Sequence, residues 1–427
     1  MKNNPHKPPD FLFKATPNST GPLLSPQMRT LFSTTILDLP TTTSAGRSTA
    51  KRPKLHLPMA EKIEHHSQQQ ALLPGLPDHL SQLCLSLVPP STLYSVCHSW
   101  RHLIYSPTFP SFLSLYALFE STEPQPGDPS SLQFCSFDPI SCDWQHLPPP
   151  PSGLDFRFLL RHPSFISRKL PIQSVSVSGK LILLAATADQ LQPALSKPLI
   201  FDPLTKQWAH GPSLPKPRRW CVAGASRAAV FVASGIGSHY NTDVARSVDK
   251  WYIDYQCEKH EWRWEKMRNL KDGKFSREAI EAVGWRGKLC MVNVKGDAAK
   301  DGTIYDVEKD SWEDMPEGML AGWRGPAAAM EEETIYLVDE SKGSLKRYDQ
   351  FRDSWAEVLE NEMLEGAQQI AAARGKVCVL RADGGGIVVV DVSASPAMLW
   401  VVDAPSGLQG VAIHILPRSS HREIQTK

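Results

Sequence analysis

The chain is 427 residues long, too long for one ordinary core, and its 46 basic and 45 acidic residues almost cancel. That balance argues against wholesale binding to nucleic acid or membrane surfaces, and apolar runs such as Leu181–Ala186 fall far short of the ~20 residues a membrane helix needs. Eight cysteines with no C-x-x-C spacing read as small buried hydrophobes in a reducing compartment, so a soluble intracellular protein without metal or cofactor is expected.

Residues 1–70 are rich in Pro, Ser, Thr and Gln, carry no apolar signal core, and cannot bury enough surface to offset chain entropy. A disordered tail is expected there, with nine Lys or Arg against four acids. Its tightest cluster, Lys51-Arg52-Pro53-Lys54, reads either as a solvated basic patch or as a nuclear-import signal, giving a cytoplasmic or nuclear location.

Residues 72–116 change character. After Pro77, Asp78 is a good N-cap, and Leu80, Leu83, Cys84 and Leu87 recur at helical spacing until Pro89-Pro90 stops the helix. A second helix is expected after Ser91, with Leu93, Val96, Cys97, Trp100, Leu103 and Ile104 on one side. Two short helices make too small a core to stand comfortably alone. The run Leu76-Pro77-Asp78, then Leu87-Val88-Pro89, then Val96-Cys97-x-x-Trp100-Arg101, resembles an F-box; it departs from that family at His98, where Lys or Arg is usual. The resemblance implies that Leu76, Pro77, Leu87, Pro89, Val96, Cys97 and Trp100 form or support a contact with the Skp adaptor of a cullin–RING ubiquitin ligase. A plain helical hairpin packed on its own domain is the alternative.

From about 117 to 417 the chain reads as short β-runs between turn residues. One device recurs: an aromatic-Asp pair, a short turn, and a Trp six residues after the Asp. It stands at Asp138/Trp144, Asp202/Trp208, Asp306/Trp312 and Asp349/Trp355, with looser copies at Asp254/Trp264 and Asp391/Trp400. Successive Trp are 64, 56, 48, 43 and 45 residues apart, near the period of blade-type repeats. The Asp carboxylate can accept backbone N–H groups of the turn, and the Trp can bury a large face against the next sheet. Five of the units also carry paired upstream strands, as in SGKLILLAA (178–186) and RGKLCMVNV (286–294), while the first lacks its own leading strand.

The pattern is similar to the kelch repeat, with its Gly pair surviving only near Ser234–Gly237 and Gly384–Gly386. A mainly β, kelch-type β-propeller of six blades is therefore expected, with the orphan strand Gly410–Leu416 completing blade one and residues 418–427 as a tail. An F-box before a kelch ring resembles the plant F-box/kelch-repeat proteins, especially the Skp-interacting-partner group. That resemblance implies a substrate receptor with no catalytic residues.

Some kelch propellers are oxidases that need several His at one rim, but eight of the fourteen His lie at or before His146. A propeller scaffold outside any ligase is the other alternative.

Aligning the units places Arg219, Arg277 and Arg324 just ahead of three innermost strands, with Arg218, Trp220 and Trp323 beside them. Such groups suit a carboxylate or phosphate on a target peptide, unless they merely answer the acidic loops Asp310–Glu317 and Glu331–Glu333.

Overall fold

The computed structural model describes residues 71–418, apart from 87, 89, 107, 108, 110, 111, 123–131, 141, 152–171, 189–190, 254–261, 277–279 and 294–300. The basic cluster Lys51, Arg52 and Lys54, together with Leu87, Pro89, Asp254 and Arg277, lies outside the described residues.

Six four-stranded units follow one another around a ring. Blade 2 is Ile172–Val177, Lys180–Ala188, Leu199–Asp202 and Gln207–His210, with the short Gln192–Pro193 beside its second strand. Blade 3 is Val222–Ser226, Ala229–Ala233, Val248–Tyr252 and Glu265–Lys266; blade 4 is Ile280–Trp285, Lys288–Asn293, Asp301–Asp306 and Ser311–Asp314. Blade 5 is Ala327–Met330, Thr334–Asp339, Ser344–Asp349 and Ser354–Glu360, and blade 6 is Ala367–Ala373, Lys376–Arg381, Gly386–Asp391 and Met398–Asp403. In blade 1 the C-terminal strand Leu408–Pro417 is innermost and pairs antiparallel with Leu113–Ser121, followed outward by Gln133–Asp138 and Asp143–His146. First and last segments of the ring thus share one sheet, leaving no open edge at the seam. The strand from Leu113 begins inside the span expected for the helical module, and Arg418, expected in the tail, is buried.

Tight turns join the first and second strands of blades 2 to 6. Their central pairs have positive φ, as at Ser178/Gly179, Arg286/Gly287 and Arg374/Gly375, which is the twist-compatible hairpin geometry. One contact was not foreseen: the innermost strands of blades 3 and 4 pair in parallel, Val222 with Ile280 through Gly224 with Ala282. Glycines permit it. A Cβ on Gly224 would stand 2.7 Å from that of Ala282, and one on Gly284 would collide with the Ala225 carbonyl.

The repeated Asp works as a local turn clamp. Asp138, Asp202, Asp306, Asp349 and Asp391 each accept a backbone N–H from two residues ahead, at 2.9–3.1 Å. Five of the six Trp reach backward around the ring. The indole N–H donates to Asp403 O from Trp144, Pro148 O from Trp208, Pro212 O from Trp264, Arg268 O from Trp312 and Met319 O from Trp355, at 2.7–3.1 Å. Each acceptor lies at or beyond the end of the previous blade's last strand, so the contacts run from blade to blade. Trp264 and Trp400 are buried, while the other four are half-buried, less than a core residue would be. Trp400 differs again, since its N–H is buried without an acceptor.

Candidate functional site

The helical module holds Asp78–Ser86, Pro90–Val96 and His98–Ile104. The single second helix expected from the apolar period is broken at Cys97, whose φ of −156° and ψ of 167° are extended. Arg101 braces the break: its Nε donates to the Tyr94 carbonyl at 2.5 Å, and its guanidinium lies 4.9 Å from the centre of the Tyr94 ring. Leu85, Leu93, Leu103, Ile104, Phe109 and Phe112 form the module's core, which is completed by Ile140 from a turn of blade 1.

The first helix is turned the other way from expectation. Ser81 and Leu85 face inward, while Leu80 is 41% exposed, Leu83 57% and Cys84 exposed. Leu76 is 40% exposed and Val96 55%; Pro77 and Cys97 are also exposed. Trp100 instead belongs to the module's own core, with its indole N–H donating to Leu72 O at 3.2 Å. A surface that leaves Leu80 and Leu83 of one short helix in water, with Leu76 just ahead of it, is incomplete by itself.

A charged joint fixes this module to the ring. Arg418 donates to Asp138 at 3.0 Å, its backbone N–H donates to Phe112 O at 2.6 Å, and its guanidinium stacks 4.1 Å from the Tyr105 ring centre. Asp138 is therefore both a blade turn residue and half of the joint. The sequence reading missed Tyr105, Phe112, Ile140 and Arg418, because nothing local links residues so far apart in the chain.

The six innermost strands surround an axial cavity of about 300 Å³. The imidazole of His414 bridges Ser174 Oγ at 2.9 Å and Ser176 Oγ at 3.0 Å, and burial pushes its pKa down to about 3. Gln369 accepts from the Ile413 N–H at 2.7 Å and donates to Glu281 at 2.6 Å, linking blade 6 to blade 4. These polar groups are engaged with one another and tie the inner strands together. Among the described residues, no three His, Cys, Asp or Glu side chains gather as a metal site, and no helix is long and apolar enough to cross a membrane. Burial raises the thiols of Cys135 to about 11 and of Cys221, Cys290 and Cys378 to about 12, away from reactivity.

The expected arginine rim is only partly present. Arg219 and Arg324 do precede the innermost strands of blades 3 and 5. Arg218, however, is 1% exposed and fully engaged: it pairs with Asp249 at 2.6 Å and donates to Ser247 Oγ, Ser234 O and Lys216 O. It is a structural ion pair and is removed from the rim. Trp323 is likewise a core residue, packed edge-on to Trp355 at 5.8 Å. Trp220 is buried beside Arg219, whose guanidinium lies 4.3 Å from the indole centre.

The acidic loops do not answer these arginines. Glu332 accepts from Ser226 Oγ and Arg227 N, Glu331 from Arg374 N, and Glu333 from Arg286 Nε. Those partners sit in the first-to-second strand turns, at the opposite end of the inner strands from Arg219. Asp310 accepts from Arg268 N and Tyr305 O–H, and Glu313 pairs with Lys288.

No protein-family model matches the chain. Among curated proteins, F-box/kelch-repeat protein SKIP25 of Arabidopsis thaliana is 54% identical over 362 residues, covering 83% of this chain and 91% of that protein. F-box protein AFR of the same plant is 24% identical over 296 residues, covering 65% of this chain and 71% of its own length. Another Arabidopsis F-box/kelch-repeat protein is 24% identical over 353 residues, covering 67% of this chain and 71% of its own.

Proposed function

The chain belongs to the F-box/kelch-repeat family, and from that premise we propose that it is the substrate-recognition subunit of an SCF-type cullin–RING ubiquitin ligase. In this reading the helical module docks on the Skp adaptor, and the propeller holds a target protein for ubiquitin transfer. The chain carries no chemistry of its own; it brings two proteins together.

The supporting observation is the outward apolar face made by the first helix and the residue Leu76 just ahead of it. Leu76, Leu80 and Leu83 are all at least 40% exposed, while the same module buries Leu85, Leu93 and Leu103 in its own core. Aliphatic anchors presented on a rigid element are the side chains that carry protein–protein affinity. The module packs on the turn that carries Ile140, between the third and fourth strands of blade 1. In an antiparallel blade that turn lies on the face opposite the inter-blade loops. A target held by those loops would sit away from the adaptor, with neither partner blocking the other.

Copurification of the Skp adaptor tests this reading. The full chain is expected to retain it, and Leu80→Glu with Leu83→Glu is expected to abolish retention while the thermal transition of the ring is unchanged. Retention by the double variant, or none by the unaltered chain, overturns the reading.

A further inference from the structure

Two adjacent arginines precede the innermost strand of blade 3, and their fates differ. Both are more than nine-tenths buried, with Arg218 1% and Arg219 7% exposed. Arg218 has four acceptors. Arg219 Nε and Nη1 are sealed from solvent with no acceptor at all, and Nη2 is the one side-chain nitrogen not sealed in that way. Among the described residues no carboxylate pairs with Arg219, and burial alone lowers its pKa.

The backbone holds this arrangement firmly. Arg219 and Ile236 exchange N–H···O bonds of 2.8 and 2.9 Å, which clamp the loop entering blade 3 to the loop after its second strand. Gly235, at φ +93°, lets the two loops press together, since a Cβ there would meet Arg219 O at 2.9 Å and Cys221 Cβ at 2.8 Å. The surviving glycine of the kelch pair therefore serves to seat Arg219. Among the described residues, the compensation for this charge is the Trp220 indole under the guanidinium, a cation–π contact.

A desolvated cation held without a counter-ion costs stability, and such a group persists where a ligand supplies the missing charge. We propose that Arg219 is the anchor for an oxyanion on the bound target: a Glu or Asp carboxylate, or a phosphoryl group, received at the Nη2 end on the inter-blade-loop face. The inference rests on the receptor reading above and adds to it the chemical class of the target segment. An anion at Nη2 faces the delocalised charge of the whole guanidinium and forms charge-assisted hydrogen bonds in a partly dry site, where they are strongest. Arg324, exposed at the equivalent position of blade 5, lies on the same face and extends the positive surface there.

The test uses the full chain and pools of peptides with random flanks and a fixed central Glu, phosphoserine, Gln or Ser. The unaltered chain is expected to retain the Glu or phosphoserine pool about tenfold or more over the neutral pools, the scale of one charged hydrogen bond. Whichever acidic pool is retained identifies the source of the oxyanion. In Arg219→Met this preference is expected to vanish while the melting temperature stays equal or rises, because an unpaired buried charge has been removed. Arg218→Met, by contrast, strands Asp249 and is expected to melt markedly lower.

Equal retention of all pools by the unaltered chain overturns the proposal. So does an acid preference that survives in Arg219→Met, or a melting temperature in that variant lowered as in Arg218→Met, which would make Arg219 an ordinary structural residue. Adaptor copurification is measured on the same preparations, and the pools are screened whether or not it succeeds. Failure of the receptor reading and failure of this anchor are thus read separately.

Discussion

The guanidinium of Arg418 stands 3.0 Å from the carboxylate of Asp138, a residue 280 positions earlier, and both side chains are almost sealed from solvent. This one ion pair ties the end of the ring-closing strand, the first blade and the helical module together through Phe112 and Tyr105. Arg418→Ala leaves Asp138 buried without its cation, so a loss of about 3–5 kcal/mol is expected. Chemical denaturation measures it. Hydrogen exchange should show faster opening of Asp78–Ile104 than in the unaltered chain, and identical exchange there would refute the joint.

The indole N–H groups permit a differential prediction. Trp264 is buried and bonded to Pro212 O at 3.0 Å, whereas Trp400 is equally buried and unbonded. Replacing Trp264 by Phe removes a hydrogen bond and strands a carbonyl, adding about 0.5–1.5 kcal/mol to the packing loss. Trp400→Phe removes an unsatisfied donor, so its total cost is expected to be smaller. Equal losses in denaturant titrations would count against the blade-to-blade role of the N–H.

His414 makes stability depend on pH. Its folded pKa, about 3, lies below its ordinary value of 6.5, so between these values the unfolded chain binds a proton that the folded chain refuses. The contribution is complete above pH 6.5 and is lost as pH falls toward 3. From pH 7 to 5 the loss from this residue amounts to about 2 kcal/mol. In His414→Gln, which keeps a hydrogen-bonding side chain, the slope over that range is expected to flatten. An unchanged slope in urea midpoints rejects the assignment.

Asp202 separates two roles of the repeated carboxylate. It accepts from Leu204 N at 2.9 Å and pairs with Lys180 at 2.6 Å, where both side chains are only about a quarter exposed. Asp202→Asn keeps the turn acceptor and loses the ion pair, while Asp202→Ala loses both. The Ala variant is expected to cost about 0.5–2 kcal/mol, by analogy with a lost helix cap, and the Asn variant clearly less. Thermal melts of the pair decide this, and equal costs would mean that the turn bond contributes little.

What was legible in the sequence was what is local. The Asp clamp closes within two or three residues, and the Trp follows at a fixed offset, so both show up as spacing. The inner strands show poorly because they are short and built of small residues, as in Ala327–Met330, and the parallel pairing of Gly224 with Ala282 has no signature in either segment. The helix break at Cys97 was masked by an apolar period that continues across it. Leu80 and Leu83 looked like core because helical patterning marks a buried face without saying which protein covers it. Arg218 and Arg219 cannot be told apart by neighbours in the chain, since Asp249, 31 residues later, decides between them.

Ring closure by Leu408–Pro417 also has a consequence for how the protein is made. That strand leaves the ribosome after every other strand of the ring, yet it occupies the innermost place of the first blade. Until it arrives, the Leu113–Ser121 strand waits with one edge unpaired, and the cation that secures the helical module does not yet exist. A chain interrupted even a few residues early would present an open sheet edge and a loose helical module together, a species prone to aggregate and to be cleared. The last strand therefore acts as a completeness check. Only a molecule translated through Arg418 acquires both its closed ring and its anchored helical module.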